Sequence, residues 1–286
     1  MIETDKTKND PSQKPRWIDE QTTLSMPEMR RDRTFRKKAW SFANTLPGQV
    51  GLRNEAVRIQ WIAQVLRRIP ADSRILDAGC GEQQFRKFCS HLDYVGQDFA
   101  QYDGKGDGVG LQTGSWDHAT NAPDLICDVT AIPEPNQSFD AILCTEVLEH
   151  LPDPAKALSE FSRLLKRDGV LLLTAPFCSI AHFTPYYFST GFSRFWYETH
   201  LASLGFDIIE VSPNGGFFDY VAQELRRLPS IIRRHCPGFV FVLYLVTHFL
   251  LAFPLLAMLN WISKRERGSS ALLCFGYHVM ARRSVP

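Results

Sequence analysis

The chain has 286 residues, 32 Lys and Arg against 31 Asp and Glu, and 44% hydrophobic side chains. That length and composition suit one large domain or two small ones, and they exclude collagen-like, low-complexity and disulfide-scaffold proteins. The net charge of +1 hides three regions: +3 over residues 1–40, −9 over 41–220 and +7 over 221–286.

Residues 1–52 are polar and poorly periodic, with prolines at 11, 15, 27 and 47. They read as a flexible basic arm with one short helix over 29–42. The first residues have no apolar stretch of the kind a secretory signal needs, so a cytoplasmic location is expected. A firmer helix follows over 54–68, where Val57, Ile59, Trp61, Ile62, Val65 and Leu66 supply an apolar face.

Strands and helices then alternate. The spacing predicts strands over 74–78, 94–98, 125–129, 139–144, 170–174 and 206–211. It predicts helical stretches over 82–91, 154–166 and 193–204. Asp153 and Pro154 mark the start of the 154–166 helix, and Gly169 lies just past its end. This order implies a doubly wound α/β domain with a parallel sheet covered on both sides. A helix over 217–228 leads into an uncharged apolar run, and a last strand over 272–281 closes the chain.

Seven cysteines, at 80, 89, 127, 144, 178, 236 and 274, form no Cys-x-x-Cys pair, and several sit in apolar runs. Buried free thiols are expected.

The first site signal is Asp77-Ala78-Gly79-Cys80-Gly81 at the end of the first strand. Glycines there let the chain turn tightly and let a ligand approach backbone N–H groups. Asp98 ends the second strand and Asp128 the third, so three strand ends each carry an acid. A nicotinamide site is disfavoured. Its third glycine would stand at position 84, which is Gln84, and Glu82 would oppose a pyrophosphate. An acidic rim suits a cationic ligand.

With Phe139-Asp-Ala-Ile-Leu-Cys-Thr-Glu-Val-Leu-Glu-His-Leu-Pro-Asp-Pro154 added, the motifs resemble those of class I S-adenosylmethionine-dependent methyltransferases of the small-molecule type. The resemblance covers about residues 55–213 and the final strand. It implies a Rossmann-like seven-stranded sheet with an antiparallel last strand. It assigns Asp77, Ala78, Gly79, Cys80 and Gly81 to the methionine part of S-adenosylmethionine, Asp98 to the ribose, and Asp128 with Val129 to the adenine. Thr145, Glu146 and the two residues after them would line the sulfonium. Gln83 departs from the glycine that the family often has there, which leaves the loop geometry open.

Methyl transfer from a sulfonium mainly needs two reactants held in line. A base is required only where the acceptor must lose a proton, and His150 and His182 are the candidates. Glu146, Glu149 and His150 also resemble the cluster linked to a divalent cation in the ubiquinone O-methyltransferases. The competing reading has Glu149 and His150 merely cap a helix and brace the loop. Tyr186 and Tyr187, with Phe188 and the aromatics at 195–197, suggest either a substrate pocket or a packed lid. Nucleic acid is not expected as a partner, because the active face belongs to the acidic region.

Residues 238–262 carry no charge and are flanked by Arg226, Arg227, Arg233 and Arg234 before and Lys264, Arg265 and Arg267 after. Pro254 is expected to break the run into two helices too short to span a bilayer. The expectation is therefore a helical insert over 229–268, between a methyltransferase domain over 53–228 and its closing strand in 269–286. The insert would lodge in one leaflet of an anionic membrane, making the protein peripheral or monotopic at the inner face. A true membrane span, and a homodimer interface or buried soluble helices, are the alternatives. The functional expectation is methylation of a small hydrophobic or lipid-linked acceptor, against a non-catalytic module that keeps the fold as a membrane-associated scaffold.

Overall fold

A computed structural model describes residues 48–108, 110–112, 114, 116 and 121–284, except for the side chains of 245, 246 and 249. The 29–42 helix and nearly all of the basic arm lie outside the described residues. Seven strands form one sheet: β1 (Arg74–Ala78), β2 (Asp93–Asp98), β3 (Leu125–Ile126), β4 (Phe139–Thr145), β5 (Leu165–Pro176), β6 (Phe206–Asn214) and β7 (Gly276–Arg283). Their order is β3-β2-β1-β4-β5-β7-β6, with β7 antiparallel to both neighbours. The expected Rossmann-like sheet with its antiparallel last strand is the sheet observed.

β1, β4 and the second half of β5 are mostly apolar because both faces are covered. On one face α1 (Asn54–Leu66) packs Ile62, Val65 and Leu66 against Ile75, Leu143 and Leu172. On the other, α2 (Pro154–Leu164) and α3 (Arg194–Ser203) bury Leu158, Phe161, Tyr197 and Leu201 against Leu76, Ile142 and Leu171. Asp153 caps α2 by accepting the Lys156 N–H at 3.1 Å, as its position suggested. The helix stops at Leu164, two residues before the expected end, because Leu165 already pairs with Phe139 in the sheet.

Three further expectations are corrected. The segment after Gly81 holds turns and one 3₁₀ turn (Arg86–Phe88) in place of a helix. Gln83 has φ +55°, which no right-handed helix accommodates. The helix predicted to end at 228 is α4 (Phe217–His235), which runs through Pro229, so the boundary at 228/229 falls inside a continuous element. Most importantly, Pro254 does not divide the apolar run. α5 (Gly238–Ser263) is one 26-residue helix. Proline removes one backbone hydrogen bond, but Pro254 and Leu250 both lie on the exposed side. Ala252 and Leu256, either side of it, are buried.

α4 and α5 form an antiparallel hairpin. Near one end, Asp219 accepts a hydrogen bond from the Ser263 hydroxyl at 3.0 Å. Leu256 and Leu259 pack with Ala222 and Val50. Gly51, at φ +75°, comes so close to α4 that a Cβ would lie 2.4 Å from the Gln223 nitrogen. Buried Arg226 donates to the carbonyls of Val50 and Gly48 at 2.8 and 3.0 Å. Among the described residues, no helix is long and apolar enough to cross a membrane.

Leu256→Ala, at a fully buried position, is expected to destabilise the chain by about 2–5 kcal/mol. Leu251→Ala on the exposed face of the same helix should change stability by no more than about 0.5 kcal/mol. Chemical denaturation of the two variants measures the contrast.

Candidate active site

The chain order reverses at β1, which pairs with β2 on one side and β4 on the other. Open α/β sheets bind ligands at such a crevice, beyond the carboxyl ends of the strands. A cavity of 630 Å³ lies there, lined among others by Gly79, Gln97, Asp98, Asp128, Val129, Glu146, Val147 and His150.

The loop after β1 is built to bring backbone against a ligand. Gly79, Gly81 and Gln83 all have positive φ, at +72°, +52° and +55°. A Cβ at Gly79 would meet Val147 Cγ2 at 2.4 Å, so only glycine fits. Gln83 keeps the left-handed turn without being glycine, and its amide donates to the Ala122 carbonyl at 2.5 Å. The loop is tied to β2 as well: the N–H groups of Gly79 and Cys80 donate to the Gln97 carbonyl at 2.8 and 2.9 Å.

Asp98 accepts from the Gly81 N–H at 2.9 Å and from the Ala100 N–H at 2.8 Å. Its carboxylate is thereby fixed at the cavity wall with lone pairs to spare. Asp128 lines the same cavity, and its Oδ1 accepts the Thr130 N–H. Glu146 lies opposite, positioned by Arg58 at 3.0 Å and by the Thr174 hydroxyl at 2.9 Å.

Other assigned residues stand behind this wall. Asp77, Ala78, Cys80, Gly81 and Thr145 do not line the cavity. Asp77 is fully buried, and the Tyr94 hydroxyl donates to its Oδ2 at 2.6 Å while Oδ1 has no hydrogen-bond partner. Burial raises its pKa to about 7, opposed by the Tyr94 hydrogen bond and reinforced by the charge of Asp98. Burial likewise pushes the Cys80 thiol well up, so it is inert as a nucleophile.

The two candidate histidines meet although 32 positions separate them. Their ring centroids are 4.8 Å apart, and the Nε2 of each lies 3.7 Å from Glu149 Oε1. His150 Nδ1 donates to the Tyr186 carbonyl at 2.5 Å, and His182 Nδ1 to the Ile180 carbonyl at 2.9 Å. A carbonyl only accepts, so both Nδ1 atoms carry protons. In the neutral rings, both Nε2 lone pairs therefore face the carboxylate. Glu149 is fully buried, and neither of its oxygens has a hydrogen-bond partner.

Burial lowers the pKa of His150 against the attraction of Glu149. Burial also acts to lower that of His182, but Glu149 and the Ile180 carbonyl outweigh it and leave the value raised. The His150 Nε2 is itself shielded from solvent, so it is turned onto Glu149 and not into the cavity.

Sequence patterns alone did not reveal the aromatic wall. Tyr102 and Trp116, from the Gly/Asp-rich loop, meet at 5.2 Å, and Phe183 stacks on Tyr102 at 4.6 Å and on His150 at 4.9 Å. Tyr186 lines the cavity and meets Phe99 edge-on at 5.0 Å. Tyr187 does not line it, and its hydroxyl donates to the Ser179 carbonyl. Phe195, Trp196 and Tyr197 stand apart on α3, with Tyr197 in the core. Trp116 and Tyr102 carried a signal in being large aromatics within an otherwise small and polar loop.

The family model described as "Methyltransferase domain" matches residues 52–221. The chain belongs to the class I S-adenosylmethionine-dependent methyltransferases. Among curated relatives, it is 32% identical over 116 residues to a ubiquinone biosynthesis O-methyltransferase of Paraburkholderia phymatum, covering 40% of this chain and 47% of that one. It is 33% identical over 126 residues to the enzyme of that name from Xylella fastidiosa, covering 41% and 47%. The chain thus spans about half the length of the curated relatives it matches. A solved S-adenosylmethionine-dependent methyltransferase from Archaeoglobus fulgidus aligns over 80% of this chain and 94% of its own, with 15% identity and a TM-score of 0.48.

Two expectations follow. Gly79→Ala should abolish binding of S-adenosylhomocysteine in calorimetric titration, because the added methyl collides with Val147 in a backbone conformation that disfavours it. The second concerns pH. Asp77 titrates near 4 when unfolded and at about 7 when folded, so the folded state holds the extra proton in between. Stability should fall as pH rises across that window. Asp77→Asn should remove this slope, raising the melting temperature near pH 8 and approaching wild type only as pH falls to about 4.

Proposed function

We propose that the protein transfers a methyl group from S-adenosylmethionine to a small acceptor with an apolar face, hydrophobic or lipid-linked, at the cytosolic side of a membrane. The observation that carries the first part is the switch-point cavity, where Gly79, Asp98, Asp128 and Glu146 converge. The residues fit the cofactor: Gly79 leaves the space a Cβ would fill, and Asp98 and Asp128 offer acceptors to hydroxyl and amino groups. The acidic rim complements a sulfonium cation. When bound, the cofactor supplies an electrophilic methyl group.

The chain's part is to hold the reactants in line and exclude water. Asp98 and Asp128 fix one end of the cofactor. Phe99, Tyr102, Trp116, Phe183 and Tyr186 form an aromatic part of the enclosure, a surface suited to an aromatic or aliphatic acceptor.

Glu149, His150 and His182 lie beneath that wall as one carboxylate and two imidazoles, with ligand atoms within 4.8 Å of one another. The donor set fits a divalent cation of the zinc type. Three protein ligands leave a position open, and both imidazoles are oriented by backbone carbonyls. The orphaned Glu149 oxygens support the same reading. Glu146, included in the expected set, is occupied by Arg58 and Thr174. A bound cation would supply a Lewis acid at its open position. His150 and His182 then serve as its ligands in place of free bases.

Calorimetry with S-adenosylhomocysteine and elemental analysis of the purified protein test the two parts separately. Asp98→Asn should weaken cofactor binding by about tenfold or more, as expected for loss of a charge-assisted hydrogen bond. Glu149→Gln with His182→Ala should reduce bound metal at least about tenfold and leave cofactor affinity nearly unchanged. A wild-type protein that binds no S-adenosylhomocysteine would sink the reading.

A further inference from the structure

α5 presents a face that neither the fold nor the catalytic reading uses. Ala252, Leu256, Leu259 and His248 are buried against the body. The opposite side exposes Phe239, Leu243, Leu250, Leu251, Met258 and Trp261, each more than half accessible. Single exposed apolar residues are ordinary, but a continuous strip of this kind along one helix marks a contact surface.

Charge identifies what fits it. No acidic residue occurs between Glu224 and Glu266. Arg233 and Arg234 stand exposed just before α5, and Lys264, Arg265 and Arg267 just after it. The Arg265 guanidinium lies over the Trp261 ring at 4.7 Å, joining the cationic end to the apolar strip. Two such faces placed together, parallel or antiparallel, would bring cation clusters against each other. The chain's own first 40 residues are also net positive, at +3, and would meet the same repulsion. An anionic lipid surface satisfies both features, taking the apolar strip at the acyl boundary and the cations among its head groups.

We propose that the exposed face of α5 is the membrane-docking surface of this protein, and that α5 lies flat on an anionic bilayer with α4 behind it. This deepens the membrane part of the proposed function and rests on it. It also places the bilayer beside the acceptor pocket. Arg234, at the end of α4, donates to the carbonyls of Gly108 and Gly110. That loop in turn pairs with the segment carrying His182 and Phe183, with the Leu111 N–H on the Ala181 carbonyl at 2.9 Å and the Phe183 N–H on the Leu111 carbonyl at 3.1 Å. An acceptor delivered by the bilayer would thus reach the aromatic wall from the docked side.

Flotation of the full-length protein tests this, using vesicles of phosphatidylcholine alone and of an equimolar mixture with phosphatidylglycerol. The expected result is flotation with the anionic vesicles, weakened by added salt, and at least tenfold less with phosphatidylcholine alone. A Leu250→Glu, Leu251→Glu variant and a Lys264→Glu, Arg265→Glu variant should each lose at least tenfold in partitioning. Both should bind S-adenosylhomocysteine as the parent does, which separates a failure of docking from a failure of folding or of the cofactor reading. Protein that stays at the bottom of the gradient with both vesicles overturns the proposal. Its solution mass then shows whether a second copy or the chain's own arm covers the face. Variants that float as well as the parent overturn it equally.

Discussion

β1 has to serve two neighbours at once, and the site depends on that. Its five residues pair with β2 from Arg74 against Asp93 to Ala78 against Gln97, and with β4 from Ile75 against Ala141 to Ala78 against Cys144. Both registers are held by side chains buried on the two faces, so a slip of one residue would turn Leu76 and Ile142 out of their layers. With the registers fixed, β1, β2 and β4 end level. Gly79, Asp98 and Glu146 then arrive on one rim without any direct contact needed to gather them. The tight turn at Gly79 completes the geometry, because Val147 leaves no room for a side chain at that position.

How legible this was depended on the range of the interaction concerned. The sheet could be read because its central strands are mostly apolar, and the acids at 98 and 128 because each stands at or just past a short strand-like run. The start of α2 was equally local, with Asp153 and Pro154 adjacent. What could not be read was decided elsewhere in the chain. α2 ends where Leu165 finds Phe139. Gln83 holds a glycine-like conformation because its amide reaches Ala122, nearly 40 positions on. Proline at 254 reads as a break, yet α5 continues because buried Ala252 and Leu256 clamp the helix on either side. His182 was a candidate in isolation, but its meeting with Glu149 depends on the bridge between Leu111 and its own loop.

The electrostatics of the body follow from two acids that solvent does not reach. Asp77 responds to burial by holding its proton up to about pH 7, sharing the Tyr94 hydroxyl as its one partner. Below that pH it adds no second negative charge beside Asp98. Glu149 has no such hydroxyl. An isolated carboxylate in an apolar interior costs several kcal/mol or more, and a fold retains one only when something offsets it.

Glu149 faces two imidazole nitrogens, each 3.7 Å from its Oε1, whose lone pairs point the same way. Three electron-rich atoms converging on one point repel one another, and a cation among them would offset that repulsion. The surrounding backbone is arranged to keep that convergence in place. The Glu149 carbonyl accepts the N–H groups of Phe188 and Ser189, Tyr186 and Ile180 lock the imidazoles, and the loop carrying His182 is pinned through Leu111 to the segment that Arg234 holds. The helical hairpin reaches the loops around this cluster through Arg234, whose guanidinium donates to the carbonyls of Gly108 and Gly110. One link between the placement of α4 and the chemistry of the cavity thus runs through that guanidinium.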